Sequence, residues 1–297
     1  MDALATSFQQ YVTEVREIID GELLRYSQFT SDVPERLQDA IRYSLLAPGK
    51  RLRPLMVLSA AEACGSEKEA ALPAACAIEM IHTYSLIHDD LPAMDDDELR
   101  RGRPTCHIKF DEATAILAGD GLLTLAFEVL SMDLKPAETA TQCCTELARA
   151  AGVAGMVGGQ VDDLAAEGSA GNLEQLQNIH RRKTAALLCA SLRLGAICAN
   201  ANREQIERLQ TYGENLGLAF QIVDDLLDLK GDTQTLGKNT GQDTHRGKLT
   251  YPSLLGETES CEKAHQLIDT AITSLKPFGE QANNLVALAQ YVLNRDH

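Results

Sequence analysis

Residues 74–98 read AACAIEMIHTYSLIHDDLPAMDDDE. Up to position 90 the apolar side chains recur at three- and four-residue spacing, the pattern of a helix with a broad buried face. The stretch then places six acidic side chains in the ten residues from Asp89 to Glu98, with nothing inside the segment to neutralise them. A charge run is usually a solvated loop. Two features oppose that reading here. Asp89 ends a strongly apolar helix (Ile78, Ile81, Leu86, Ile87), and Pro92 stops the helix, folding the later carboxylates back toward Asp89.

The same periodicity recurs over 35–47, 111–131, 173–200 and 204–229, as it does over 74–90. Turn dipeptides between alternating strands are missing, and Asp120-Gly121 sits inside a helical pattern. Breaks fall at Pro48-Gly49, Gly65-Ser66, Gly168–Gly171 and Gly231–Gly247 without a wider shift in composition. With 297 residues, 44% of them apolar, the chain can bury a large core. The expectation is all-α: one helical domain over residues 1–297, built as a bundle.

A second acidic cluster, Asp224-Asp225-Leu226-Leu227-Asp228, lies far along the chain. Asp224 and Asp228 share one helix face, and Gln221 joins it three residues earlier. Leu218, Ala219, Phe220, Ile222, Val223, Leu226 and Leu227 surround them, poor company for a solvated face. Carboxylates without Cys or His clusters suit Mg²⁺, which takes one or two of them and completes its shell with water and phosphate oxygens. One DDxxD is a weak signal; two on apolar helices are a strong one.

A net charge of −16 argues against nucleic acid as a partner. An acidic protein acting on phosphorylated substrates needs cations to bridge the two. Lys50, Arg51 and Arg53 lie in a turn that opens a helix, Arg100, Arg101 and Arg103 follow the first acidic run, and Lys183-Thr184, Lys238 and Lys248 come later. Arginine grips phosphate oxygens in pairs, and lysine acts as a mobile point charge. A P-loop is excluded: five residues separate Gly231 from Gly237 where four are required, and Asn239 replaces Ser or Thr. No run of 18 apolar residues predicts a membrane span. Met1-Asp2-Ala3 lacks a secretory start. The eight cysteines have no CxxC spacing and read as reduced, mostly buried thiols of a cytoplasmic protein, so zinc is not expected.

Gly49-Lys50-Arg51-Leu52-Arg53-Pro54, the DDxxxxD of Asp89–Asp95 with Arg100-Arg101, Lys183-Thr184, and Gln221 with Asp224-Asp225-Asp228 together resemble the trans-prenyl diphosphate synthases. The segment IHTYSLIHDDLPAMDDDELRRGRPTCH, from Ile81 to His107, is especially similar to the bacterial farnesyl diphosphate synthases of that family. The motifs keep the family's order from Gly49 to Lys248. The resemblance implies helices around a deep cavity, a homodimer, and three Mg²⁺ ions per active site. It makes Asp89, Asp90, Asp95, Asp224, Asp225 and Asp228 the metal set. Lys50, Arg53, His82 and Arg101 would hold isopentenyl diphosphate; Arg100, Lys183, Thr184, Gln221, Lys238 and Lys248 would serve the allylic diphosphate. Pro48 stands where the family usually has a first glycine. On an ideal helix His82 lies one face with Asp89 and about 10.5 Å from it along the axis, a suitable gap between two diphosphates. His88, His107 and His180 read as hydrogen-bonded core histidines.

The implied reaction ionises an allylic diphosphate and joins the cation to the double bond of isopentenyl diphosphate, with the released diphosphate taking the final proton. Gly231–Lys248 has the glycine content of a closing flap. By resemblance, product length depends on Tyr84 and Ser85, five and four positions before the first aspartate, and the aromatic Tyr84 fits a C15 product. The alternatives are a geranylgeranyl diphosphate synthase of the same fold, a non-catalytic partner subunit, and a di-metal carboxylate bundle. The last requires two Glu-x-x-His pairs on facing helices, of which Glu79-Met80-Ile81-His82 would be one.

Overall fold

The computed structural model describes residues 3–166, 171–230 and 249–294. Four helices lead: α1 (Ala3–Tyr26), α2 (Glu35–Leu45), α3 (Leu52–Ala63) and α4 (Leu72–Asp89). A two-residue hairpin follows, β1 (Leu99–Arg100) and β2 (Arg103–Pro104), with Arg100 opposite Arg103. Next come α5 (Cys106–Lys109), α6 (Glu112–Asp133), α7 (Ala137–Ala151) and α8 (Met156–Ala166). The remaining helices are α9 (Leu173–His180), α10 (Ala186–Cys198), α11 (Arg203–Lys230), α12 (Tyr251–Leu255), α13 (Glu257–Leu275) and α14 (Asn283–Leu293). The all-α expectation holds, with one small hairpin added.

That hairpin turns through Arg101 and Gly102, whose φ angles are 53° and 72°. Positive φ at both central residues is what a two-residue hairpin turn of type I′ requires. The expected helix over 173–200 is also modified, because residues Arg181–Ala185 form a π-helical turn between α9 and α10. The other helix ends agree with expectation to within two residues.

Helix α4 is the central element. Ala74, Ala75, Cys76, Ala77, Ile78, Met80 and Ile81 are all fully buried, against α3, α6 and α10. Burying each of the larger side chains contributes about 1.5–3 kcal/mol. Asp111 starts α6 by accepting a 2.7 Å hydrogen bond from the Thr114 amide, while Thr250 and Ser253 form a capping box on α12. All eight cysteines are free thiols, and none is fully exposed. Although no membrane span is expected, Lys68–Asp89 and Glu112–Asp133 have the length and apolar composition to cross a bilayer. Both serve as core helices: the first is mostly buried, and the second turns Ala115, Ala118, Leu122, Ala126 and Leu130 inward.

Candidate active site

The first acidic run folds back as Pro92 demands. Past the end of α4 the amide of Asp95 donates to the Asp89 carbonyl at 2.8 Å, and that of Asp97 donates to the Asp90 carbonyl at 3.2 Å. These bonds return Asp95 to the neighbourhood of Asp89. Burial pushes the Asp89 carboxyl up to about 6; the charge of Lys183 pulls against that shift, and Asp95 adds to it. Lys183, from the distant π-helical turn, therefore faces the first motif. Asp90 is buried and taken up by Arg100, whose Nε lies 2.7 and 2.9 Å from its two carboxylate oxygens.

Beside this loop, on the same side of α4, arginines gather around His82. A small cavity of about 60 Å³ is lined there by Pro48, Arg51, His82, Asp90, Arg100 and Arg101, among others. The arginines are not equivalent. Arg51 is buried, with Nε 2.8 Å from Asp20, Nη1 2.8 Å from Glu79, and Nη2 donating to the Leu45 and Ala47 carbonyls. It is a clamp on α1, α4 and the preceding loop. Arg100 is matched by Asp90. Among the described residues neither Arg53 nor Arg101 forms an ion pair, although the charge of Glu79 reaches both: the buried Nε of Arg53 has no hydrogen-bond partner, and Arg101 donates through Nη1 to the Pro48 carbonyl at 2.7 Å. Burial lowers the Arg53 guanidinium to about 10, Glu79 opposing and Arg101 assisting. Lys50 is exposed at the rim.

His82 is held well below the usual imidazole range, first by burial and then by the charges of Arg53, Arg101, Arg100 and Arg51. Its Nδ1 is buried without a partner. Because the folded chain refuses a proton that the unfolded chain accepts below about pH 6.5, stability is lost as pH falls through that value. His82→Gln is expected to flatten this acid slope, checked by urea unfolding at pH 7.0 and 5.5; an unchanged slope refutes it. Gly49 permits the Arg101 contact, since a Cβ there would stand 2.5 Å from Arg101 Nη1. Gly49→Ala should displace that guanidinium and weaken anion binding in this pocket about tenfold, as titration with inorganic pyrophosphate would show.

The π-helical turn links the two acidic motifs. Lys183 Nζ donates to Asp163 at 2.5 Å, and Thr184 Oγ1 donates to Gln221 Oε1 at 3.2 Å. Gln221 Nε2 in turn donates to Asp225 at 3.3 Å, and the Tyr251 amide donates to the other Asp225 oxygen at 2.9 Å. Asp225 is buried and serves the start of α12, whereas Asp224 and Asp228 are half-buried on the same helix. A π-turn in this position fits the tendency of such turns to occur at functional sites. Tyr84 is buried, and Ser85 Oγ donates to the His82 carbonyl at 2.9 Å. Lys238, Lys248 and the expected flap lie outside the described residues.

Asp163 and Gln160 on α8 were absent from the sequence-based site. Asp163 neutralises Lys183, and the buried Gln160 Nε2 has no partner. The available signal was Gly158-Gly159-Gln160 ahead of Asp162-Asp163; a Cβ at Gly159 would stand 2.3 Å from the Lys183 backbone nitrogen. Among the described residues no three acidic, His or Cys side chains converge on a point that could hold a metal. Asp89 and Asp95, drawn together by the loop, are hard oxygen donors of the kind Mg²⁺ accepts beside water and phosphate.

An all-helical scaffold with a carboxylate loop beside an arginine pocket is the architecture of a protein that handles diphosphates. The polyprenyl synthetase family model matches residues 34–288, and the chain belongs to that family. It is 45% identical to the farnesyl diphosphate synthase of Bacillus subtilis (strain 168) over 301 aligned positions, covering 99% of this chain and 100% of that one. It is 44% identical to the geranylgeranyl diphosphate synthase of Cyanophora paradoxa over 302 positions, covering both chains completely. Among solved structures, the FPP/GFPP synthase of Zymomonas mobilis superposes with a TM-score of 0.88 at 40% identity, over 97% of this chain and 99% of that one.

Proposed function

We propose that the chain condenses isopentenyl diphosphate with dimethylallyl and then geranyl diphosphate to give (2E,6E)-farnesyl diphosphate, working as one helical domain. The observation that carries this reading is the pairing of opposite charges along α4. The guanidinium groups of Arg53 and Arg101, which form no ion pair among the described residues, can grip one diphosphate directly, and the carboxylates of Asp89 and Asp95 can grip another through cations.

In this reading Asp89, Asp95, Asp224 and Asp228 hold three Mg²⁺ ions, with Asp90 and Asp225 holding the motif backbones in place. Bound Mg²⁺ supplies Lewis-acid stabilisation of the negative charge on the leaving diphosphate. Lys183 and Arg100, with Lys238 and Lys248, meet the remaining oxygens, and Thr184 and Gln221 line the allylic chain. Lys50, Arg53, His82 and Arg101 hold isopentenyl diphosphate so that its double bond lies against the allylic carbon as the C–O bond breaks. By the same resemblance, the departing diphosphate takes the proton whose loss restores the alkene. Incubation with isopentenyl and geranyl diphosphates and Mg²⁺ should yield C15; absence of condensation refutes the proposal.

A C20 product is the second reading, favoured by the likeness to the Cyanophora enzyme. Tyr84 decides between them: its buried ring is taken as the stop for the growing chain. Tyr84→Ala should shift the product from C15 toward C20, read by chromatography of the dephosphorylated alcohols, and C15 alone from that variant sinks the assignment. The outward face of α6 exposes Ile116, Leu117 and Met132, which supports a homodimer across that helix. The free state of all eight thiols supports a cytoplasmic site of action.

A further inference from the structure

Helices α4 and α6 meet at a contact that the diphosphate chemistry leaves unused. His88 Nε2 lies 3.1 Å from the Ile116 carbonyl oxygen on α6. Its ring occupies the space a side chain at position 119 would need: a Cβ on Gly119 would stand 2.2 Å from Nε2, 2.5 Å from Cδ2 and 2.9 Å from Cε1. On its other side the ring meets Tyr84 edge to face, with centroids 5.7 Å apart and planes at 79°. His88 and Tyr84 are one helical turn apart on α4, so they stack on the same face. The imidazole is thus wedged between the α6 backbone and the aromatic ring, tethered at one nitrogen.

We propose that His88, seated in the gap left by Gly119, is a positioning residue that holds the Tyr84 ring in place and so sets product length. This rests on the reading of Tyr84 as the stop for the growing chain. An aromatic ring stops a chain only while it is held, because a free χ1 rotation swings it out of the path. Interior packing leaves little slack for such a rotation while the imidazole fills the space behind the ring. Removing the imidazole opens that space. Adding a methyl group at Gly119 drives the imidazole out of its seat with the same consequence. Neither change touches the diphosphate-binding side chains.

The test reads the ratio of C20 to C15 product in wild type, Tyr84→Ala, His88→Ala, His88→Phe, His88→Gln, Gly119→Ala and the double variant His88→Ala/Gly119→Ala, with thermal unfolding as a check on folding. His88→Ala and Gly119→Ala should each raise the ratio about tenfold, the size of effect a local change in an apolar pocket produces. The double variant should go no further than either alone, because both act on one contact. His88→Phe, which keeps a ring behind Tyr84, should stay close to wild type, and His88→Gln, which keeps only a hydrogen-bonding group, should not. An unchanged ratio in His88→Ala, or in His88→Gln if the alanine variant does not fold, alongside a raised ratio in Tyr84→Ala overturns the proposal while leaving Tyr84 as the stop. A ratio unmoved by Tyr84→Ala overturns both readings. Additive effects in the double variant also overturn the proposal.

Discussion

Asp89→Ala combined with Asp224→Ala is expected to abolish condensation, lowering kcat/KM by a factor on the order of 10³–10⁵ at any Mg²⁺ concentration. Each substitution removes a carboxylate from a different motif, so the loss is not recovered by adding metal. Loss of the Asp89 carboxylate should not harm the fold. Asp89 is half-buried with its carboxyl pushed up to about 6, so its ionised form at pH 7 opposes folding. A raised carboxylate pKa means that stability is gained as pH falls through 6 toward the unfolded value near 4, and alanine removes this dependence. Activity assays on the double variant would show lost turnover, and urea unfolding of Asp89→Ala at pH 7 and pH 5 would show stability equal to or above wild type. Retained condensation would overturn the assignment of both motifs.

Much of this arrangement is legible in the chain because its local and tertiary signals agree. Pro92 after an apolar helix announces that Asp95 returns to Asp89, and the backbone bonds in the loop carry that out. The hairpin at residues 99–104 was hidden because type I′ turns are normally announced by Asn-Gly or Asp-Gly, and here Arg101 itself adopts positive φ. The π-turn was hidden because one extra residue in a turn hardly disturbs the apolar pattern over 173–200. Its position depends on the close approach of Gly159 to Lys183, a contact between separate helices. Asp163 and Gln160 were missed for the same reason. Gly158-Gly159 hints at a close approach beside them on α8, but only the fold sets Lys183 opposite. The cations of the Gly49 turn look alike in sequence, yet Asp20 and Glu79 occupy Arg51 and leave Arg53 without a carboxylate.

That difference gives Arg53→Leu an outcome unlike that of most active-site variants. The buried Nε of Arg53 has no partner, and burial with the nearby charge of Arg101 pulls the guanidinium down to about 10. A charge held this way is unfavourable in the free protein and is matched only when an anion enters. Leucine keeps much of the apolar volume and removes the charge, so Tm should rise, by about 2–4 °C for a chain of this size. Binding moves the other way. On the proposed roles, loss of a buried, charge-assisted contact should raise KM for isopentenyl diphosphate about 100-fold, while KM for geranyl diphosphate, assigned to Lys183 and the aspartates, should change little. Arg51→Leu is the control: it breaks the pairs with Asp20 and Glu79 and leaves Glu79 buried alone, so it should lower Tm. Calorimetry and substrate-resolved kinetics on both variants separate the roles. If Arg53→Leu destabilises the fold as Arg51→Leu does, then Arg53 is a structural cation and the isopentenyl diphosphate pocket must be sought elsewhere along α4.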